Sequence, residues 1–141
     1  MLRTFDPAKH VITFKGIVLL APASGTYASV ERHEDTFTYQ YGAHGDMARV
    51  RNRKRGGRIS ITLMGISPTN DQLSTILALD ESTGLGYGSF QIVDLNGTTV
   101  CHATNAWIVR PPNYQVADDH TDREWMFDCD GVDMFIGGEL T

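Results

Sequence analysis

"TFTYQYGAHGDMARVRNRKRGGRISITLM", residues 36–64, decides how the chain folds. Its opening alternates, with Phe37, Tyr39 and Tyr41 on one side and Thr36, Thr38 and Gln40 on the other. Its end does the same, setting Ile59, Ile61 and Leu63 against Arg58, Ser60 and Thr62. A period of two belongs to a half-buried strand, and β-branched and aromatic residues suit it. Between these runs Gly42 and Gly45 supply the positive φ that a reversal needs, so residues 36–51 read as a long hairpin. Arg49, Arg51 and Arg53 alternate with Ala48, Val50 and Asn52, which puts a row of guanidinium groups along one face or edge of the second strand.

The same period extends in both directions. "EWMFDC" separates Trp125, Phe127 and Cys129 from Glu124, Met126 and Asp128. Residues 10–14, 17–20, 28–32, 47–51, 89–95, 98–108 and 132–136 are further strand candidates. Asn96-Gly97 predicts a two-residue hairpin turn, and with Thr98 it spells a glycosylation sequon that matters only on a secretory route. Arg110-Pro111-Pro112-Asn113 ends a strand and opens a loop to about Thr121. One segment departs from the pattern. Ser67 as N-cap, Pro68 at the first helical position, Asp71 near the start and Leu73, Ile76 and Leu77 on one face predict a helix over about 68–80. The expected fold is mainly β, a sandwich or barrel-like sheet system with one flanking helix and a long hairpin and loop over about 35–57. No linker or repeat divides the chain, so residues 1–141 are expected to form one domain.

Composition narrows the class. Hydrophobic residues make up 41% and charged residues 21%, the balance of a globular chain. No apolar run approaches the roughly 20 residues that span a bilayer, and the N-terminus lacks the apolar core of a secretory signal. No membrane partner is expected. Cys101 and Cys129 form no CxxC and read as two buried free thiols made in a reducing cytosol.

Candidate chemistry is sparse. Asp118, Asp119, His120 and Asp122, in "DDHTD", are the residue types of a metal or proton-transfer site, but they sit in a loop without ligand spacing and read as solvated. Cys101 and His102 are strand neighbours pointing to opposite faces, so they cannot pair as nucleophile and base. His10, His33 and His44 are scattered. "GLGYG", Gly84–Gly88, follows a helix and precedes a strand, the reverse of a phosphate-binding loop. No catalytic residue, metal or cofactor is expected.

Charge is the remaining signal. Six of the twelve basic residues fall within 49–58: Arg49, Arg51, Arg53, Lys54, Arg55 and Arg58. Between 118 and 139 stand eight acids, Asp118, Asp119, Asp122, Glu124, Asp128, Asp130, Asp133 and Glu139, opposed only by Arg123. A chain with one basic and one acidic patch is self-complementary, and head-to-tail contacts of that kind build rings or filaments. Two solvated faces without an assembly role account for the charges equally well. A nucleic-acid grip wants aromatic stacking partners, and none lies between Met47 and Arg58.

The segments "EDTFTYQYGAHGD", "ARVRNRKRGGRISITL" and "SPTNDQLS" together resemble the tube subunit of contractile bacteriophage tails. "FKGIVLLAPASGTYASVER" is similar to that family's early strands and "EWMFDCDGVDMFIGG" to its closing ones. The likeness is specific over 34–74 and loose over about 80–122. It implies a β-sandwich or barrel subunit, six to a ring, with rings stacked into a hollow tube inside a contractile sheath, and DNA passing down the lumen. The implied partners are further copies of the chain and the sheath, baseplate and terminator proteins of a virion tail, assembled from chains made in the host cytoplasm. It also implies that Asp35, Arg49, Arg51, Arg53, Lys54, Arg55 and Arg58 contact a neighbouring subunit, and that the acids at 118, 119, 122, 124, 128, 130 and 133 meet them or face a neutral-to-acidic lumen.

Three other readings remain open at this level: the tube of a pyocin-like or type VI secretion-like device, a small nucleic-acid-binding β-barrel gripping through "RNRKRGGR", and an enzyme using His120.

Overall fold

Alternation in sequence becomes alternation in burial. The computed structural model describes residues 2–139; Met1, Leu140 and Thr141 lie outside them. In β6 (Gly57–Leu63) every second residue is buried, and β9 (Arg123–Cys129) repeats the pattern beside it. Opposite residues in an antiparallel pair share a face, so Ile59 meets Phe127 and Ile61 meets Trp125 on the core side. The other strands are β1 (His10–Phe14), β2 (Ile17–Val18), β3 (Ala28–Arg32), β4 (Phe37–Tyr41), β5 (Met47–Arg51), β7 (Gly88–Asp94), β8 (Val100–Arg110) and β10 (Val132–Phe135). The main sheet runs β2-β1-β7-β8-β9-β6-β3, with β10 also paired to β8. β4 and β5 form a separate two-stranded sheet.

The sheet cannot be flat. Three inter-strand steps separate β1 from β9, about 14 Å on a planar sheet. Yet the Phe14 and Phe127 ring centroids are 4.9 Å apart, and Phe90 of β7 lies 5.0 Å from Phe127. The sheet therefore folds over, and these three buried rings close its interior with Ile59, Ile61, Leu63 and Trp125.

β8 is the strand on which the fold turns. Its first half pairs β7 and β10, and its second half pairs β9. The β7 register shifts between Gly88 opposite Ala106 and Phe90 opposite Ala103, a bulge with its extra residue on β8. Inward positions change from Cys101 and Ala103 to Ala106 and Ile108 across it. Without that bulge Asn105 and Trp107 would point into the core. At the β6 edge, Gly57 leaves no room for a side chain: an added Cβ would lie 2.5 Å from the Glu31 carbonyl oxygen and 2.9 Å from Val132 Cγ1.

The helix, α1 (Thr69–Thr83), lays Leu73, Ile76 and Leu77 against the core. Pro68 already has helical angles, and Ser67 Oγ accepts from the Thr69 N–H at 3.3 Å while donating to the Leu20 carbonyl at 2.6 Å. Trp125 Nε1 donates to Asn70 Oδ1 at 2.9 Å, fastening helix to sheet. The helix outruns its expected end near 80. Thr83 Oγ1 donates to the Leu79 carbonyl, and only Gly84, at φ 74°, stops it.

Two further expectations are corrected. Strand β2 stops at Val18, short of Leu20, because the Leu20 N–H is turned toward Thr69 Oγ1 of the helix. The link between β7 and β8 is not a two-residue turn. It runs from Leu95 to Thr99, because Asn96 is buried and bonded outward: its Nδ2 donates to the Asp6 carbonyl at 2.8 Å and its Oδ1 accepts from the Asp6 N–H at 3.2 Å. The two cysteines are free and buried, as expected.

Candidate assembly surface

The β4–β5 hairpin stands apart from the sheet, and every residue of both its strands is exposed. Its turn closes through Gly42 N–H to the Asp46 carbonyl at 2.7 Å, with Gly45 at φ 88°. Its base closes through Asn52 N–H to the Thr36 carbonyl at 2.8 Å. The register pairs Phe37 with Arg51, Tyr39 with Arg49 and Tyr41 with Met47. Opposite residues share a face, so three aromatic rings, Met47, Arg49 and Arg51 crowd one side, leaving Thr38, Gln40, Ala48 and Val50 on the other. The Arg49 guanidinium lies 4.1 Å from the Phe37 ring centre, and Tyr39 meets Tyr41 edge-on at 5.5 Å.

This corrects the sequence-based view that the basic stretch lacks interleaved aromatics. The strand before it supplies them across the ladder. The signal was present in the turn, since a reversal between Tyr41 and Met47 fixes which residues face each other, but linear spacing did not expose it.

The remaining basic residues divide into two groups. Arg53, Lys54 and Arg55 are exposed and, with His33, Glu34 and Asp130, line a hollow at the hairpin's base. The Arg55 carbonyl accepts from Val132 N–H at 2.9 Å, which ties this run to the β9–β10 turn. Among the described residues, no carboxylate lies within ion-pair distance of Arg49, Arg51, Arg53, Lys54 or Arg55. Arg58 is different. Its Nε donates to Asp128 Oδ1 at 2.9 Å and its Nη2 to Oδ2 at 3.3 Å, within the same chain. That bond, ahead of the attraction of the Asp128 charge, holds the Arg58 guanidinium above its ordinary pKa. Arg58 is thus engaged within its own chain.

The acids are scattered. Asp128 is held by Arg58 and lies 3.8 Å from His33 Nε2. Glu124 Oε1 accepts from Ser60 Oγ at 3.2 Å, and Asp130 Oδ2 from Asn105 Nδ2 at 3.0 Å. Asp133 is exposed on β10, Asp35 precedes β4, and Asp118, Asp119, His120 and Asp122 are exposed in the segment after β8. Among the described residues, no group of three or more His, Cys, Asp or Glu side chains is placed to hold a metal ion.

A second surface was not foreseen. A groove of about 490 Å3 opens between β3 and β10, floored by Ile12 and Ile92 and walled by Tyr27, Val30, Met134 and Ile136. At one end Asp94 is buried, accepting from Asn96 N–H at 2.8 Å with His10 Nε2 3.5 Å away. Tyr27 donates to the Pro7 carbonyl at 3.0 Å, and burial, then Asp94, raises its pKa.

Comparison with known proteins supplies the identity that geometry alone does not. The family described as "Bacteriophage PhiTE tail tube protein" matches residues 21–137. "Structural protein ORF10" of Pseudomonas phage KPP10 is 29% identical over 112 residues, 78% of this chain. The chain spans 65% of that relative's length. Among solved structures, the anti-feeding prophage cap, a tube-terminating cap, superposes with a TM-score of 0.67 at 9% identity, covering 96% of this chain and 93% of that one. The sheath-tube complex of the extracellular contractile injection system PVC gives 0.65 at 11% identity, covering 94% and 91%. The sheath/tube terminator of the same system gives 0.63 at 13%, covering 94% and 97%. At such identities the structures establish a shared fold, common to tubes and terminators. The family match establishes more: the chain belongs to the Bacteriophage PhiTE tail tube protein family and is a structural protein of a phage tail.

Proposed function

We propose that copies of this chain join into six-membered rings that stack as the inner tube of a contractile tail, the conduit for DNA inside the sheath. The observation that carries the reading is the detached hairpin. A two-stranded ribbon with no buried side chain is marginal in water, so its aromatic and cationic face calls for a partner. Arg49, Arg51, Arg53, Lys54 and Arg55, all without an ion-pair partner among the described residues, are available to set the register of that contact. Strand edges and apolar area supply the cohesion, and the role is architectural rather than catalytic. Sheath, baseplate and terminator proteins are the other partners, and assembly follows synthesis in the bacterial cytoplasm.

A second reading, the tube of a pyocin-like or type VI secretion-like contractile device that carries protein, draws support from the extracellular contractile injection system structures that share the fold. Negative-stain imaging of the concentrated protein tests the shared core of both. Long hollow tubes are expected. Single discs would assign the chain to a terminator role, and dispersed particles at every concentration and salt would overturn the tube.

A further inference from the structure

We infer that the hairpin of one copy seats in the groove between β3 and β10 of the next, aromatic face inward, so that successive copies join head to tail. The inference rests on the assembly reading above and names the surface that receives the hairpin.

Three observations carry it. The two surfaces match chemically: the hairpin offers Phe37, Tyr39, Tyr41 and Met47, and the groove offers an apolar floor and walls large enough for aromatic rings. They match in charge. Residues 36–55 hold five cations against the single acid Asp46, whereas among the described residues the carboxylates lining the groove are Asp94 and Glu139, with no lysine or arginine. They also sit at opposite ends of one strand. The hairpin springs from the end of β3 where Arg32 pairs with Gly57, while the groove lies along Gly25–Val30. In its own chain every residue of the hairpin's strands is exposed and none lines the groove, so the occupant is a second copy. A contact that joins two different patches leaves each joined pair with one free hairpin at one end and one free groove at the other. It therefore propagates.

The test uses two variants altered only at exposed positions. Arg49→Glu with Tyr41→Ser disables the hairpin and leaves the groove intact. Ile136→Lys with Glu139→Lys disables the groove and leaves the hairpin intact. Each alone should be monomeric by light scattering after gel filtration, with a melting temperature close to the parent's. Mixed in equal amounts, they should form a one-to-one dimer that does not grow, because each complex keeps only disabled surfaces at its ends. A mixture that stays monomeric while the parent assembles would overturn the seat and leave the tube standing, as would a groove variant that assembles like the parent. Failure of the parent itself to assemble would overturn both.

Discussion

Arg58 and Asp128 face each other across β6 and β9, joined by two hydrogen bonds of 2.9 and 3.3 Å. The pair takes one member from the basic cluster and one from the acidic third of the chain. Part of the charge complementarity visible in the sequence is thus spent inside the subunit, holding two adjacent strands in register. Arg49, Arg51, Arg53, Lys54 and Arg55 have no such ion-pair partner among the described residues. Replacing Arg58 with Ala and Asp128 with Asn, singly and together, should give non-additive changes in melting temperature and leave assembly intact. Loss of assembly in the single Arg58 variant, with folding unchanged, would place this residue at an interface between copies.

Charge reversal in the hairpin should act the other way. Arg49→Glu with Arg51→Glu should abolish assembly while shifting subunit stability by no more than about 0.5 kcal/mol, since both positions are exposed. Assembly of the parent should also weaken as salt rises, because exposed charges are screened over about 8 Å at physiological ionic strength. Pelleting assays read both effects.

Phe127 packs against both Phe14 and Phe90, so it fixes the fold-over of the sheet. Phe127→Ala should cost about 3–5 kcal/mol, a large share of a domain's stability, read as a lower urea midpoint. Phe127→Leu should cost much less, as it fills most of the same space.

Asn96 ties the N-terminal segment to the β7–β8 link through both its amide atoms. Asn96→Ala should destabilise the subunit by about 1–3 kcal/mol and speed proteolysis before residue 10, by removing those bonds from a buried site. Unchanged cleavage there would show that Phe5 and Pro7 hold the segment without it.

Alkali should unfold the subunit gradually. Burial raises the pKa of the Cys101 and Cys129 thiols, and burial then Asp94 raises that of Tyr27. The unfolded chain releases these protons above about pH 8.5 for thiols and about pH 10 for the phenol, while the native chain still holds them. The native state then binds more protons, so stability is full below pH 8.5 and falls as pH climbs through the raised values. Tyr27→Phe should flatten the upper part of that decline. Denaturant midpoints between pH 7 and 10.5 measure it, and a rise across this range would contradict the assignment.

β6 and β9 were legible because each carries a clean period of two: Ile59, Ile61 and Leu63 are buried where alternation put them. The helix was legible from Ser67, Pro68 and its apolar face. Some of the misses trace to a contact distant in sequence. The Asn96 turn lengthened because Asp6, 90 residues away, claims its side chain. The inward parity of β8 changed at a bulge with no glycine of its own. The aromatic face of the basic hairpin became visible only once register placed Tyr39 opposite Arg49. The groove was illegible because its walls come from strands more than 100 residues apart.

The central claim is that the hairpin joins copies into a polymer, and sedimentation velocity tests it most directly. Thr36 and Asn52 are already bonded across the hairpin's base, so residues 37–51 can be replaced by Gly-Gly without disturbing β3 or β6. The parent chain should sediment as large polymers at high concentration and the shortened chain as a folded monomer. A shortened chain that polymerises as the parent does, or a parent that stays monomeric throughout, would contradict the account.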